Sequence, residues 1–144
     1  MLARRSVDPR APPRDFDALV DWFDQLSSNL VLLEEYPRED LGFAVAAFDA
    51  GVRQHIRSFA LSDRSMRDPR SGPRELVVAD HARFSVSLEQ LRWSYRILES
   101  EDHGGHRQAL GQYGRVLTEA LRRHRRDERA YLSPPPGTST EEIP

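Results

Sequence analysis

The chain has no cysteine and no lysine among its 144 residues. Without cysteine there is no disulfide scaffold, thiolate zinc site, iron–sulfur cluster or thiol nucleophile. Without lysine there is no Schiff-base chemistry and no phosphate-loop lysine. All 21 basic residues are therefore arginine. Long apolar runs are missing too, since none approaches the ~18 residues that span a bilayer. Residues 1–15 (MLARRSVDPRAPPRD) hold no apolar stretch of the kind an export signal requires. These absences predict a soluble cytoplasmic protein that does not engage a membrane. A formal net charge of −2 gives no bulk attraction to nucleic acid. No glycine-rich phosphate loop and no nucleophile-elbow pattern is present.

What the chain does have is helical periodicity. Residues 1–13 are rich in proline and arginine and are expected to form a disordered arm. The stretch 133–144, opening on Ser133-Pro134-Pro135-Pro136, is expected to be a loose tail. Residues 14–132 between them carry four helical patterns and no convincing strand. The first runs from about Asp15 to Tyr36, with Phe16, Leu19, Val20, Phe23, Leu26, Leu30 and Leu33 at three- and four-residue spacing. The second runs from Arg38 to Leu61, with Leu41, Val45, Phe48, Val52, His55 and Phe59 on one stripe. Ser62–Pro73 reads as a loop. The third starts near Pro73, carries Val77, His81, Phe84, Leu88, Leu91, Tyr95 and Leu98, and is broken by Gly104-Gly105. The fourth runs from about His106 to Leu132, with Leu110, Tyr113, Leu117, Leu121, His124, Glu128 and Tyr131 on one face. Four amphipathic segments with short connections predict an all-α, antiparallel, up-down-up-down four-helix bundle.

Three of the five histidines, His55, His81 and His124, stand where the stripe calls for an apolar residue. A buried seam takes roughly three of seven positions, so three histidines fall on seams by chance in roughly 8% of cases. In an up-down-up-down bundle the end of the second helix, the start of the third and the end of the fourth share one end. At about 1.5 Å rise per residue the three imidazoles come within about one turn of the same height. Burying three unpaired imidazoles is costly, and a metal ion or haem iron relieves that cost. Glu128, four residues after His124, stacks on the same face and can add a carboxylate oxygen. With no thiolate available, imidazole and carboxylate point any metal toward iron, manganese or zinc. His103 and His106 lie at the other end of the bundle, in a turn. The arginines from Arg122 to Arg129 read as a solvated face because Glu119 and Asp127 are interspersed.

The segments Val52-Arg-Gln-His55, Asp80-His81-Ala82-Arg83-Phe84 and Leu121-Arg-Arg-His124-Arg-Arg-Asp-Glu128 together resemble the hemerythrin-like (HHE cation-binding) family over residues 15–132. That resemblance implies a four-helix bundle holding non-haem iron between histidines and carboxylates. The chain departs from the pattern at Phe59, where the family has a glutamate, and at Val77, where it has a histidine. The first helix has no histidine and offers only Asp17, Asp21, Asp24 and Trp22 near the right level. The implied ligand set is thus a reduced one: His55, His81, His124 and Glu128.

Three functions remain open on these residues. The first is a single non-haem iron (or similar divalent metal, zinc included) for dioxygen or nitric oxide binding or redox chemistry, with a small diatomic ligand or small molecule as partner. The second is a haem held by one or two of the histidines, with Phe23, Phe59 and Val77 lining its apolar pocket. The third is a metal-free structural or regulatory module with a protein partner, for which Trp22, Trp93 and Ile97 are contact candidates. No catalytic residue and no substrate can be read from the sequence.

Overall fold

The computed structural model describes residues 7–66 and 71–132, and the side chains of residues 7–59 and 78–130 among them. The described residues form four α-helices and no strand: α1 (Phe16–Val31), α2 (Arg38–Met66), α3 (Ser71–Ser100) and α4 (Gly104–Leu132). The expected tail, residues 133–144, lies outside the described residues, as do residues 1–6.

Each helix boundary has a local cause. Asp15 caps α1 by accepting a hydrogen bond from the Ala18 N–H at 3.0 Å. The helix ends at Val31, five residues before the expected end at Tyr36. There Leu33 takes φ 61°, its N–H donates to Leu30 O, and the Glu34 N–H donates to Asn29 O. This is the paired hydrogen-bond pattern of a Schellman stop, with leucine where glycine is usual. Leu33, expected on the inner stripe, is consequently exposed. Pro37 starts α2, its carbonyl accepting from the Asp40 and Leu41 N–H groups, and Glu39 and Asp40 complement the helix dipole in the first turn.

Of the expected loop 62–73, residues 62–66 belong to α2 and residues 71–73 to α3, and the four between lie outside the described residues. Pro73 falls in the first turn of α3, where its missing N–H breaks no helical bond. Gly104 and Gly105 do not end α3 but open α4. The His103 side chain caps that helix, accepting from the Gly105 N–H at 3.0 Å. His103 also stacks on His106 at 3.8 Å between ring centroids.

Residues 7–13 are not the free arm that their composition suggests. Val7 packs on the core. The Trp22 indole N–H donates to Asp8 O at 2.9 Å. Arg10 pairs with Asp40 at 2.6 Å and lies over the Phe43 ring.

One core gathers the stripes of all four helices, with Leu26, Phe48, Leu88 and Leu121 fully buried. Each helix packs against its neighbour in sequence, and α4 also closes on α1 in the most extensive pairing. Small residues set that closeness. A Cβ on Gly111 would sit 2.5 Å from Ser27 O, and one on Gly114 would overlap the Ser27 side chain. Gly114 thus takes the inward position expected for Tyr113, which faces out at 48% exposure. Along the same seam, Asp17 meets Arg125 and Arg129, Asp21 meets Arg122, and Asp24 meets Arg122 and Thr118. The arginines expected to be merely solvated are in these three cases cross-helix partners. No described helix is long and apolar enough to cross a membrane.

Candidate metal centre

The inner stripes of α2, α3 and α4 each deliver one histidine to a common point in the core, and α4 adds a carboxylate one turn further on. His124 and Glu128 are 2% and 1% exposed, and His81 is 8% exposed. The His55 side chain is 15% exposed. The His81 Nε2 lies 3.0 Å from the His124 Nε2. The His124 Nε2 lies 3.1 Å from Glu128 Oε2, and the His81 Nε2 lies 3.5 Å from that oxygen. The His55 Nε2 reaches across from α2, 2.8 Å from Glu128 Oε1 and 3.0 Å from Oε2. One ligand atom each from His55, His124 and Glu128 falls within 4.8 Å of the others.

The outer atoms of these groups are held as well. His124 Nδ1 lies 3.0 Å from Asp80 Oδ2. A carboxylate accepts, so His124 Nδ1 carries a proton. In the neutral ring this leaves the Nε2 lone pair aimed at the cluster. Such a carboxylate–histidine pairing is how proteins orient a metal-ligating imidazole. Arg125 donates to Glu128 Oε1 at 2.7 Å and also to Asp17 Oδ1. Aromatic rings fix the imidazole planes: Phe16 stacks on His55 at 3.8 Å, while Phe59 and Phe84 set their edges against His81 and His124.

The electrostatics follow from burial and these contacts. Burial opposes ionisation of Glu128, but hydrogen bonds from His124, His55 and His81 outweigh it and hold the carboxyl far below its ordinary range. Burial likewise disfavours the His124 cation, yet the bonds to Glu128 and Asp80 prevail and raise its pKa. A carboxylate this deeply buried costs several kcal/mol unless its oxygens are satisfied, and four side chains surround this one.

With a neutral His124, protons alone satisfy the cluster incompletely. If His81 donates to a neutral His124, the His124 Nε2 and Glu128 Oε2 face each other as two acceptors. If His124 is instead a cation that donates to Glu128, the Nε2 of His81 can carry a proton toward Glu128 Oε2 at 3.5 Å, and the metal-free cluster is satisfied by that charge state. A metal cation in the middle satisfies the neutral form. Ligand atoms about 2.1 Å from one ion stand about 3.0–3.4 Å apart in octahedral or tetrahedral geometry. The separations of 3.0, 3.1 and 3.5 Å fall close to that range. The donor set therefore fits a small divalent ion.

The remaining candidate residues are placed as follows. Phe59 touches His81. The ring partners of Phe23 are Phe48 and Trp22 rather than an imidazole. The side chain of Val77 lies outside the described residues. Helix α1 sends its aspartates to arginines of α4 rather than into the cluster. Two residues with a part in the site carry no such role in the sequence reading, Asp80 and Arg125. Arg125 had a signal: Asp17, Asp21 and Asp24 match the spacing of Arg122, Arg125 and Arg129 on the facing helix. Asp80 had only its adjacency to His81, while it serves the histidine of another helix. No protein-family model, curated protein or solved structure matches this chain.

Proposed function

We propose that this protein binds one divalent metal ion, non-haem iron foremost, in the core of an antiparallel four-helix bundle, for dioxygen, nitric oxide or redox chemistry. The observation that carries the reading is the triangle of His81 Nε2, His124 Nε2 and Glu128 Oε2, with edges of 3.0, 3.1 and 3.5 Å. Two imidazoles and one carboxylate on a single face are the donor set of non-haem ferrous centres that keep open positions. His55 supplies a fourth donor beside Glu128. Bound there, iron would supply one-electron and dioxygen chemistry. The chain's own residues orient the imidazoles through Asp80, neutralise the carboxylate through Arg125 and exclude water with Phe59 and Phe84. The partly exposed His55 borders an open cleft between Pro12, Phe16 and Gln54, which gives a small ligand a way in.

The antiparallel arrangement is supported by the order of contacts. Asp17 near the start of α1 meets Arg129 near the end of α4, and Gln108 near the start of α4 meets Val31 at the end of α1. Imidazole nitrogens 3.0 Å apart favour a small ion over haem, whose porphyrin must lie between its two axial ligands. The resemblance to hemerythrin-like proteins, with a reduced ligand set, points to the same chemistry.

Metal analysis of untagged protein, prepared with ferrous iron under anaerobic conditions, tests the reading. About one iron per chain is expected, lost together in His124→Ala and Glu128→Ala. A content near zero after loading with iron, manganese and zinc in turn would leave the metal-free module as the function. A Soret band after haem addition would replace the small ion with haem.

A further inference from the structure

A second cleft lies on the outer side of the α1–α4 seam, and its lining has a chemistry of its own. It encloses about 450 Å³, within the range of small-ligand sites. One wall carries four arginines of α4 and the other carries Asp17 and Asp21 of α1. Three of those arginines, Arg122, Arg125 and Arg129, are engaged by α1 aspartates. Arg126 is exposed and has no carboxylate partner among the described residues. It stands four residues after Arg122 and three before Arg129, so its guanidinium shares their face of the helix. The floor is apolar, made by Phe16, Val20 and Leu121.

We infer that this cleft binds a small organic carboxylate with an apolar body, its headgroup on Arg126 and its body on Phe16 and Val20. A guanidinium presents two parallel N–H donors that match a carboxylate, and the arginines outnumber the aspartates four to two. The same two aspartates act against a polyanion, because a nucleic-acid backbone laid along α4 would bring phosphates against them. The apolar floor acts against free phosphate, which has nothing to bury there. The cleft shares Phe16 and Arg125 with the surroundings of the metal centre. Arg126 has no contact with the cluster's histidines, and binding there needs no bound metal.

Benzoate titrated into the full-length, chelator-treated protein by calorimetry or two-dimensional NMR is the test. Benzoate should bind more tightly than acetate, which lacks the apolar body, and more tightly than benzyl alcohol, which lacks the charge. Arg126→Gln should weaken benzoate about fivefold or more, whereas Arg123→Gln, outside the cleft, should change it less than about twofold. Circular dichroism checks that both variants stay folded. No benzoate binding up to about 10 mM, equal losses in the two variants, or tighter binding of phosphate or an oligonucleotide would each overturn the proposal.

Discussion

At the scale of single residues, Asp80 is the sharpest case. Its carboxylate touches His124 Nδ1 at 3.0 Å while its own neighbour in sequence, His81, faces the cluster. Removing its charge without its shape should leave the fold intact and loosen the imidazole. Asp80→Asn is expected to weaken metal affinity about 10- to 100-fold, measured by competition with a chelating dye, while the metal-free protein still unfolds cooperatively in a thermal melt. Leu33 is a second case. It holds φ 61° while more than half exposed, so it carries the left-handed penalty of a side chain that packs little. Leu33→Gly should stabilise the protein by up to about 1 kcal/mol in denaturant unfolding, the released strain being partly offset by the freer unfolded chain.

At the scale of helices, the α1–α4 pair depends on what is missing from α4. Glycines inside a helix cost about 1 kcal/mol each relative to alanine, so propensity alone predicts that replacing them helps. The structure reverses the sign at Gly111, where a new Cβ would meet the Ser27 carbonyl oxygen at 2.5 Å and backbone would have to move. Gly111→Ala should destabilise by about 1–3 kcal/mol by chemical denaturation, despite its better helix propensity. The ladder of Asp17, Asp21 and Asp24 against Arg122, Arg125 and Arg129 adds register more than energy, because surface ion pairs contribute only about 0–1 kcal/mol each.

At the scale of the whole molecule, the buried cluster sets how stability responds to pH. Glu128 is depressed below its ordinary value of 4.5, so its contribution is present above that pH and is lost as pH falls toward the depressed folded value. His124 is raised above 6.5, so its contribution is present below that pH and is lost as pH rises through the raised folded value. Chelator-treated protein should therefore be most stable between pH 4.5 and 6.5 as far as these two groups decide. Glu128→Gln should flatten both flanks in thermal melts across the pH range. Metal-loaded protein should behave oppositely on the alkaline side, because ligation needs deprotonated imidazoles and the stabilisation by metal grows with pH.

Much of this was legible in the sequence. The inner stripes from Leu41 to Phe59 and from His81 to Leu98 follow from three- and four-residue spacing, because side chains that far apart share a helix face whatever surrounds them. The meeting of His55, His81 and His124 at one level follows from rise per residue and short connections. Periodicity says nothing of what a neighbouring helix brings. That Asp80 serves His124 of another helix, that Arg125 reaches both Asp17 and Glu128, and that Gly111 and Gly114 are points of close approach depend on distances between helices. The end of α1 at Val31 depended on a leucine accepting a left-handed conformation, a local choice that its residue type disfavours. Local spacing thus determined the helices and the level at which the histidines meet. Tertiary packing decided which nitrogens face one another and which partners hold them, because those are contacts between residues far apart in the chain.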